Sequence, residues 1–271
     1  MSWGQGSIRI VVANGIRQSL LVAGEPSGRT VLLIHGLGWD HSVWRNQIAP
    51  VAARGWRVVA PDLRGMGASD KPGTQWTVDD YVADLVGLLD RIGADDIVLA
   101  GFSLGGTIAA AFAVAHPDRV AGLLMAAAPV SSSAEGRAGT EAMLARAATL
   151  GPEAFAAEQA KAIWHPDWAT AHPEAVADFI AWRAAMDQPA LHRAFRSSYG
   201  VDLRDGLKDL RVPVRIVAAD RDSFVSVDTL RSTAALIPGA DLVVIPDAGH
   251  MAPIERPDAF NAALTAFLDR L

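Results

Sequence analysis

The sequence predicts an α/β fold: a doubly wound, mostly parallel sheet of eight strands with a helical cap inserted after the sixth. Three observations lead there. Short apolar runs alternate with longer segments of helical period, the first two runs meet at Asn14-Gly15, and the alternation breaks once, between Ser131 and Arg204. Strands of a parallel sheet are covered on both faces and so read as continuous apolar stretches.

In chain order, "IRIVV" and "QSLLV" flank Asn14-Gly15, a dipeptide that accepts the left-handed dihedrals of a tight hairpin turn, which makes them antiparallel neighbours. "TVLLIH" (Thr30 to His35), "WRVVAP" (Trp56 to Pro61), "DIVLAG" (Asp96 to Gly101) and "VAGLLMAA" (Val120 to Ala127) are apolar nearly throughout and read as interior strands. From Thr77, apolar residues at Val78, Tyr81, Val82, Leu85, Leu88, Leu89 and Ile92 fall on one helical face. Thr77 suits the N-cap, with Asp80 at the third helical position. Strand signals return in "VPVRIVAAD" (Val212 to Asp220) and "ADLVVIPD" (Ala240 to Asp247), and a last helix from Pro257 puts Phe260, Leu264, Phe267, Leu268 and Leu271 on one side. Between Ser131 and Arg204 the chain is rich in alanine and glutamate and holds Trp164, Trp168 and Trp182 without a convincing strand. The expected division is therefore a core of 1–130 and 205–271 with a helical cap at 131–204.

The 271 residues are 51% hydrophobic, enough for one large domain with an insertion. The net charge of −6 comes without a basic block, which disfavours nucleic acid and anionic membranes as partners. The absence of cysteine excludes a disulfide framework, a thiolate nucleophile, cysteine-bound zinc and an iron–sulfur cluster. "MSWGQGSIRI" lacks the basic and apolar regions of a signal peptide, and the longest apolar stretch, Val120 to Val130, is about half the roughly 20 residues of a membrane span. The expectation is a soluble, cytoplasmic protein.

"VLAGFSLGGTIAAAFAVAHP" (Val98 to Pro117) raises the chemical question. Glycines at the end of a strand could cradle a phosphate, but Gly101, Gly105 and Gly106 match neither the dinucleotide fingerprint nor a P-loop, and no lysine follows. "LLIHGLGWDH" fails too, with His41 where the fingerprint wants a sixth-position glycine or alanine. Gly101-Phe102-Ser103-Leu104-Gly105 instead fits G-x-S-x-G. A strand that turns straight into a helix crowds the positions two before and two after the turn, so both must be small. The residue at the apex is strained, and its side chain stands clear of the sheet. The Leu104 amide, next after the serine at the helix start, is placed to receive negative charge.

The segments "HGLGWDHSVW", "VVAPDLRGMGASDKP", "GFSLGG" and "DAGHMAPIERPDAF" resemble, in order and approximate spacing, the α/β-hydrolase superfamily. The nearest branch contains small esterases, 3-oxoadipate enol-lactonases and cofactor-free haloperoxidase-like enzymes. The likeness spans almost the whole chain but not Ser131 to Arg204.

That resemblance implies a Ser-His-Asp triad with Ser103 as nucleophile. Of the seven histidines, His250 follows the last strand, where the family order places the base. His35 belongs with the oxyanion loop, and the others read as structural. The acid follows "VRIVA", where Asp220 and Asp222 compete. The family's turn favours Asp222, although Ala219 replaces its usual glycine. The oxyanion hole would take one backbone N–H from Leu104 and, by resemblance, one from Leu37. Asp62, Arg64 and Ser69 read as architecture. Trp164, Trp168 and Trp182 are candidates for the substrate pocket, whereas Arg183, Arg193 and Arg196 read as a solvated helix face that could alternatively meet a substrate carboxylate.

The expected activity is hydrolysis of a small carboxylic ester or lactone through an acyl-serine, with no cofactor and no metal. Perhydrolase or haloperoxidase-like chemistry needs the same triad and is the alternative. A serine nucleophile argues against dehalogenase or epoxide hydrolase chemistry, and Phe102 with "HGLGWD" against carbon–carbon hydrolysis. A small-molecule receptor on the same fold is the non-enzymatic reading.

Overall fold

The computed structural model describes residues 6–271, so positions 1–5 of the expected core lie outside the described residues. β1 (Ser7–Ala13) and β2 (Ile16–Gly24) form the antiparallel hairpin around Asn14 and Gly15, which take φ of 49° and 75°. β2 pairs antiparallel with β4 (Arg57–Pro61). The other neighbours are parallel: β3 (Thr30–Ile34), β5 (Ile97–Phe102), β6 (Val120–Ala126), β7 (Val214–Ala219) and β8 (Asp241–Ile245). Among the described residues they make one eight-stranded sheet in the order β1-β2-β4-β3-β5-β6-β7-β8.

This order has a functional consequence. From β3 the chain crosses to β4 on one side and later to β5 on the other, so the connections leaving β3 and β5 diverge. Such a switch point opens a crevice at the carboxyl ends of the strands. Ile34 pairs with Gly101 there, directly before the His35 and Ser103 segments.

Helices cover both faces. The helix Val78–Ile92 carries the expected Thr77–Asp80 capping box and ends on left-handed Gly93, with Tyr81, Leu85, Leu88 and Leu89 buried. Beside it, Leu104–Ala115 is buried at every position from Leu104 to Ala113, which is why that stretch is built from glycine and alanine. The opposite face holds Pro257–Leu268, with Phe260, Leu264 and Phe267 in a second apolar cluster.

Between β6 and β7 run the helices Ala134–Leu150, Pro152–Ile163, Pro166–Ala171, Pro173–Ala184 and Gln188–Arg196. Proline in the first turn of the last four suits their starts, where an amide would have no helical partner. The segment closes at its base through the Ser131–Asp202 bridge and the Leu203 amide on Val130 O at 2.9 Å. Arg204, the last residue of the expected cap, begins the short helix Arg204–Leu207, one residue after that closure. Among the described residues, no helix is long and apolar enough to cross a membrane.

Candidate active site

Ser103 lies between β5 and the helix Leu104–Ala115 with φ 53° and ψ −122°. An L-residue held there costs about 1–3 kcal/mol. The strain is held by packing and hydrogen bonds: Ser103 N donates to Ala126 O at 2.8 Å, while its carbonyl accepts from the Gly106 and Thr107 amides at 2.8 and 3.1 Å. A Cβ at Gly101 would strike Gly105 O and come within 2.6 Å of Gly106 Cα. One at Gly105 would strike Ile34 O and lie 2.5 Å from His35 O. The small residues of the motif are thus places where backbones meet.

His250 Nε2 lies 3.1 Å from Ser103 Oγ, across 147 residues of sequence, and its Nδ1 lies 2.9 Å from Asp222 Oδ2. An ionised carboxylate only accepts, so Nδ1 carries the proton in this pairing and Nε2 presents its lone pair to the hydroxyl. Asp222 is itself oriented: its Oδ1 accepts from the Phe224 and Val225 amides at 2.7 and 3.1 Å, and its side chain is fully buried. Asp220 does not reach the imidazole; its Oδ1 takes the Ala248 amide at 3.4 Å. The rings of Phe102 and Phe224 both lie 5.0 Å from the His250 ring.

One acid, Glu255, holds the histidine loop. Its carboxylate accepts from Gly249 N at 2.8 Å and Met251 N at 3.1 Å, the amides on either side of His250, and from His165 N at 3.2 Å. Burial pushes its carboxyl pKa up, and the three amides only partly counter this. Gly249 has no room for a side chain, since a Cβ would sit 2.5 Å from His165 N. Sequence reasoning missed Glu255; its signal was an acid five residues beyond the histidine, two residues before the proline that opens the last helix.

The loop after β3 is set by His35, which is fully buried. Its Nδ1 donates to Gly36 O at 2.7 Å and its Nε2 accepts from Leu63 N at 2.9 Å, a pattern that fixes a neutral tautomer. Burial lowers its pKa accordingly. Leu37 from this loop and Leu104 from the helix start both line a cavity of about 240 Å³ that contains Ser103 and His250. Trp39, Phe102, Met143, Ile163 and Phe195 supply much of its apolar wall, so the β6–β7 segment contributes part of the enclosure.

Two expectations about this cavity are corrected. Trp164, Trp168 and Trp182 do not line it. Trp164 stacks on Trp168 at 4.6 Å, and Trp39 packs against Trp182 at 5.0 Å and edge-on to Trp164 at 6.3 Å. These three sit behind Trp39, where large rings fill the junction between the helical segment and the β3 loop. Arg183 is not solvated. Only 4% exposed, it donates from Nη1 to Gly38 O at 2.7 Å and from Nε to Gln159 Oε1 at 2.9 Å, and it lines the cavity. Helical position alone does not reveal this, because Pro173–Ala184 buries only Phe179 and Arg183, and Arg183 is held by the β3 loop about 145 residues away. By contrast, Arg196 forms a two-pronged, largely exposed pair with Glu141. Arg193 lies over the Trp76 ring at 5.7 Å.

The "DLRGMGAS" loop is occupied with its own architecture. Asp62 accepts from His41 N and Nδ1 at 3.0 and 2.7 Å and from Ala68 N at 2.9 Å. Arg64 grips Asp84 through two bonds of 2.7 and 2.6 Å, and Ser69 Oγ donates to Asp62 O at 2.6 Å. Asp40, His41 and Asp62 bring potential ligand atoms within 4.8 Å of one another, but the Asp62 oxygens are already committed to these donors.

A family model described as "Alpha/beta hydrolase family" matches residues 31–263. Among curated proteins, the chain is 28% identical over 256 residues to a "Putative carbamate hydrolase RutD" of Variovorax paradoxus (strain S110), covering 92% of this chain and 95% of that one. Among solved structures it resembles a thermophilic esterase from Thermogutta terrifontis, with TM-score 0.89, 28% identity and coverage of 97% and 98%. It also resembles the enol-lactonase from Burkholderia xenovorans LB400, with TM-score 0.90, 26% identity and coverage of 96% and 100%.

Proposed function

The chain belongs to the α/β-hydrolase family, and from that premise we propose that it is a serine hydrolase of small carboxylic esters or lactones acting through an acyl-serine. The observation that carries the reading is the Ser103 Oγ to His250 Nε2 contact of 3.1 Å at a partly open, mainly apolar cavity. Similarity to an esterase and an enol-lactonase supports the same substrate class.

A serine hydroxyl is a weak nucleophile until a base takes its proton. Ser103 Oγ attacks the carbonyl carbon while His250 Nε2 removes the proton, and Asp222 stabilises the imidazolium that forms. The carbonyl oxygen gains the displaced electron pair and is received by the Leu37 and Leu104 amides. Collapse of the tetrahedral intermediate breaks the bond to the alcohol oxygen, which leaves with the proton from His250. Water, deprotonated by the same imidazole, then attacks the acyl-enzyme and releases the acid. In a lactone, the alcohol stays tethered to the acid. The helices between β6 and β7 act as the cap that limits which acyl and alcohol groups fit.

The test combines turnover of short 4-nitrophenyl esters and simple lactones with peptide mapping after fluorophosphonate labelling. Expected are burst kinetics, a label on Ser103 alone, and loss of both in Ser103→Ala. A label on another serine, or tight binding of esters without turnover, would overturn the reading.

A further inference from the structure

Arg183 carries a charge that its surroundings do not match. The guanidinium is buried, and the acceptors it meets are neutral: Gly38 O at 2.7 Å, Leu37 O at 3.4 Å and Gln159 Oε1 at 2.9 Å. It has no ion-pair partner among the described residues. The Phe179 and Phe195 rings lie 5.8 and 5.9 Å from its Cζ, close enough for weak cation–π attraction. Burial pulls its pKa down to about 10, so the group remains charged at neutral pH. Removing a cation from water costs several kcal/mol, and neutral carbonyls recover only part of that.

The same residue lines the cavity that holds Ser103 and His250. Arginine has five N–H donors in a planar fork. Nε and Nη1 are engaged by the protein, while Nη2 makes no hydrogen bond among the described residues. A planar fork suits a carboxylate better than a point charge would. The opposite reading, that Arg183 merely braces the β3 loop, accounts for the Gly38 contact but not for a full charge, since a neutral amide donor would serve there at lower desolvation cost.

We propose that the substrate is an ester or lactone that also carries a carboxylate, and that Arg183 binds this second group. The proposal rests on the ester-hydrolase reading of the same site. The shared chemistry is the carboxylate, which can belong to the acid half or the alcohol half of the ester.

Two substrate pairs separate those sources. The first compares the 4-nitrophenyl monoester of glutaric acid with 4-nitrophenyl pentanoate. The second compares the acetate ester of a hydroxy acid with the same ester methylated at its carboxyl. In at least one pair the charged member should have a kcat/KM about tenfold or more above its neutral partner. Arg183→Gln should bring that ratio close to one, and Arg183→Lys should restore part of it, with folding checked by circular dichroism. Calorimetric binding of glutarate to Ser103→Ala, lost in the Ser103→Ala/Arg183→Gln double variant, checks recognition without turnover. Equal use of charged and neutral esters in both pairs, or a ratio that survives Arg183→Gln, overturns the proposal. Failure of all four esters together with no Ser103 labelling instead overturns the hydrolase reading, and glutarate binding still reports on Arg183.

Discussion

Gly38 and Arg183 compete for one volume: a Cβ built on Gly38 would fall within the guanidinium of Arg183. Gly38 also has φ +63°, in the left-handed region. Gly38→Ala should therefore do two things at once. The backbone conformation should cost about 1–2 kcal/mol, and the displaced guanidinium should lose its bond to the carbonyl of residue 38. Because both changes act through one contact, Gly38→Ala and Arg183→Met combined should cost less than the sum of the single variants. Thermal unfolding of the four proteins in the cycle checks this, and strict additivity would show that the two residues are independent.

Asp222 and Asp220 should differ sharply in kinetics. Asp222 contacts His250 Nδ1 at 2.9 Å, whereas Asp220 meets the Ala248 amide and Arg221. Asparagine at 222 would remove the charge and offer an amide that can favour the wrong imidazole tautomer. Asp222→Asn should lose kcat by about 10⁴, the size seen for the orienting acid of serine proteases, while Asp220→Asn should lose about tenfold or less. A dead Asp220→Asn beside an active Asp222→Asn would reverse the roles.

Glu255 should position the base without touching it. Glu255→Ala would leave the Gly249, Met251 and His165 amides without their acceptor in a buried site, a loss of about 2–5 kcal/mol. Since two of those amides flank His250, kcat should fall more than KM rises. Glu255→Gln keeps one carbonyl acceptor and should fall between the alanine variant and wild type on both measures. A Glu255→Ala protein with reduced melting temperature but normal kcat would confine the residue to stability.

The His41–Asp62 pair should give stability a specific pH dependence. Burial alone would lower the His41 pKa, but hydrogen bonding and attraction to Asp62 leave it raised. Burial would raise Asp62, but His41 and the His41 and Ala68 amides hold it below its usual range. A raised histidine pKa stabilises fully below the unfolded value and is lost as pH rises through the folded one. A depressed aspartate pKa stabilises above its unfolded value and is lost as pH falls through the folded one. The pair's contribution is therefore complete between about pH 4 and 6.5. The melting-temperature gap between wild type and Asp62→Asn should be wider at pH 5.5 than at pH 8.5. An equal gap at both would mean that the ion pair adds nothing beyond its neutral hydrogen bonds.

What the sequence determined by itself was whatever short-range physics encodes. Strand and helix order followed from apolar runs and helical periods, the hairpin turn from Asn14-Gly15, and the cap of the helix Val78–Ile92 from Thr77 and Asp80. The strained position of Ser103 was also legible, because the small neighbours that permit it lie within two residues. Only the tertiary structure decided which groups meet across long separations. It brought His250 to Ser103, turned Asp222 rather than Asp220 toward the imidazole, set Glu255 across the His250 loop, and placed Trp164, Trp168 and Trp182 behind Trp39 instead of around the cavity. Arg183 is the clearest case. Its neighbours in the chain give it a helix, but its burial is completed by the β3 loop about 145 residues away, and contacts at that distance are set by how the sheet and the intervening helices pack.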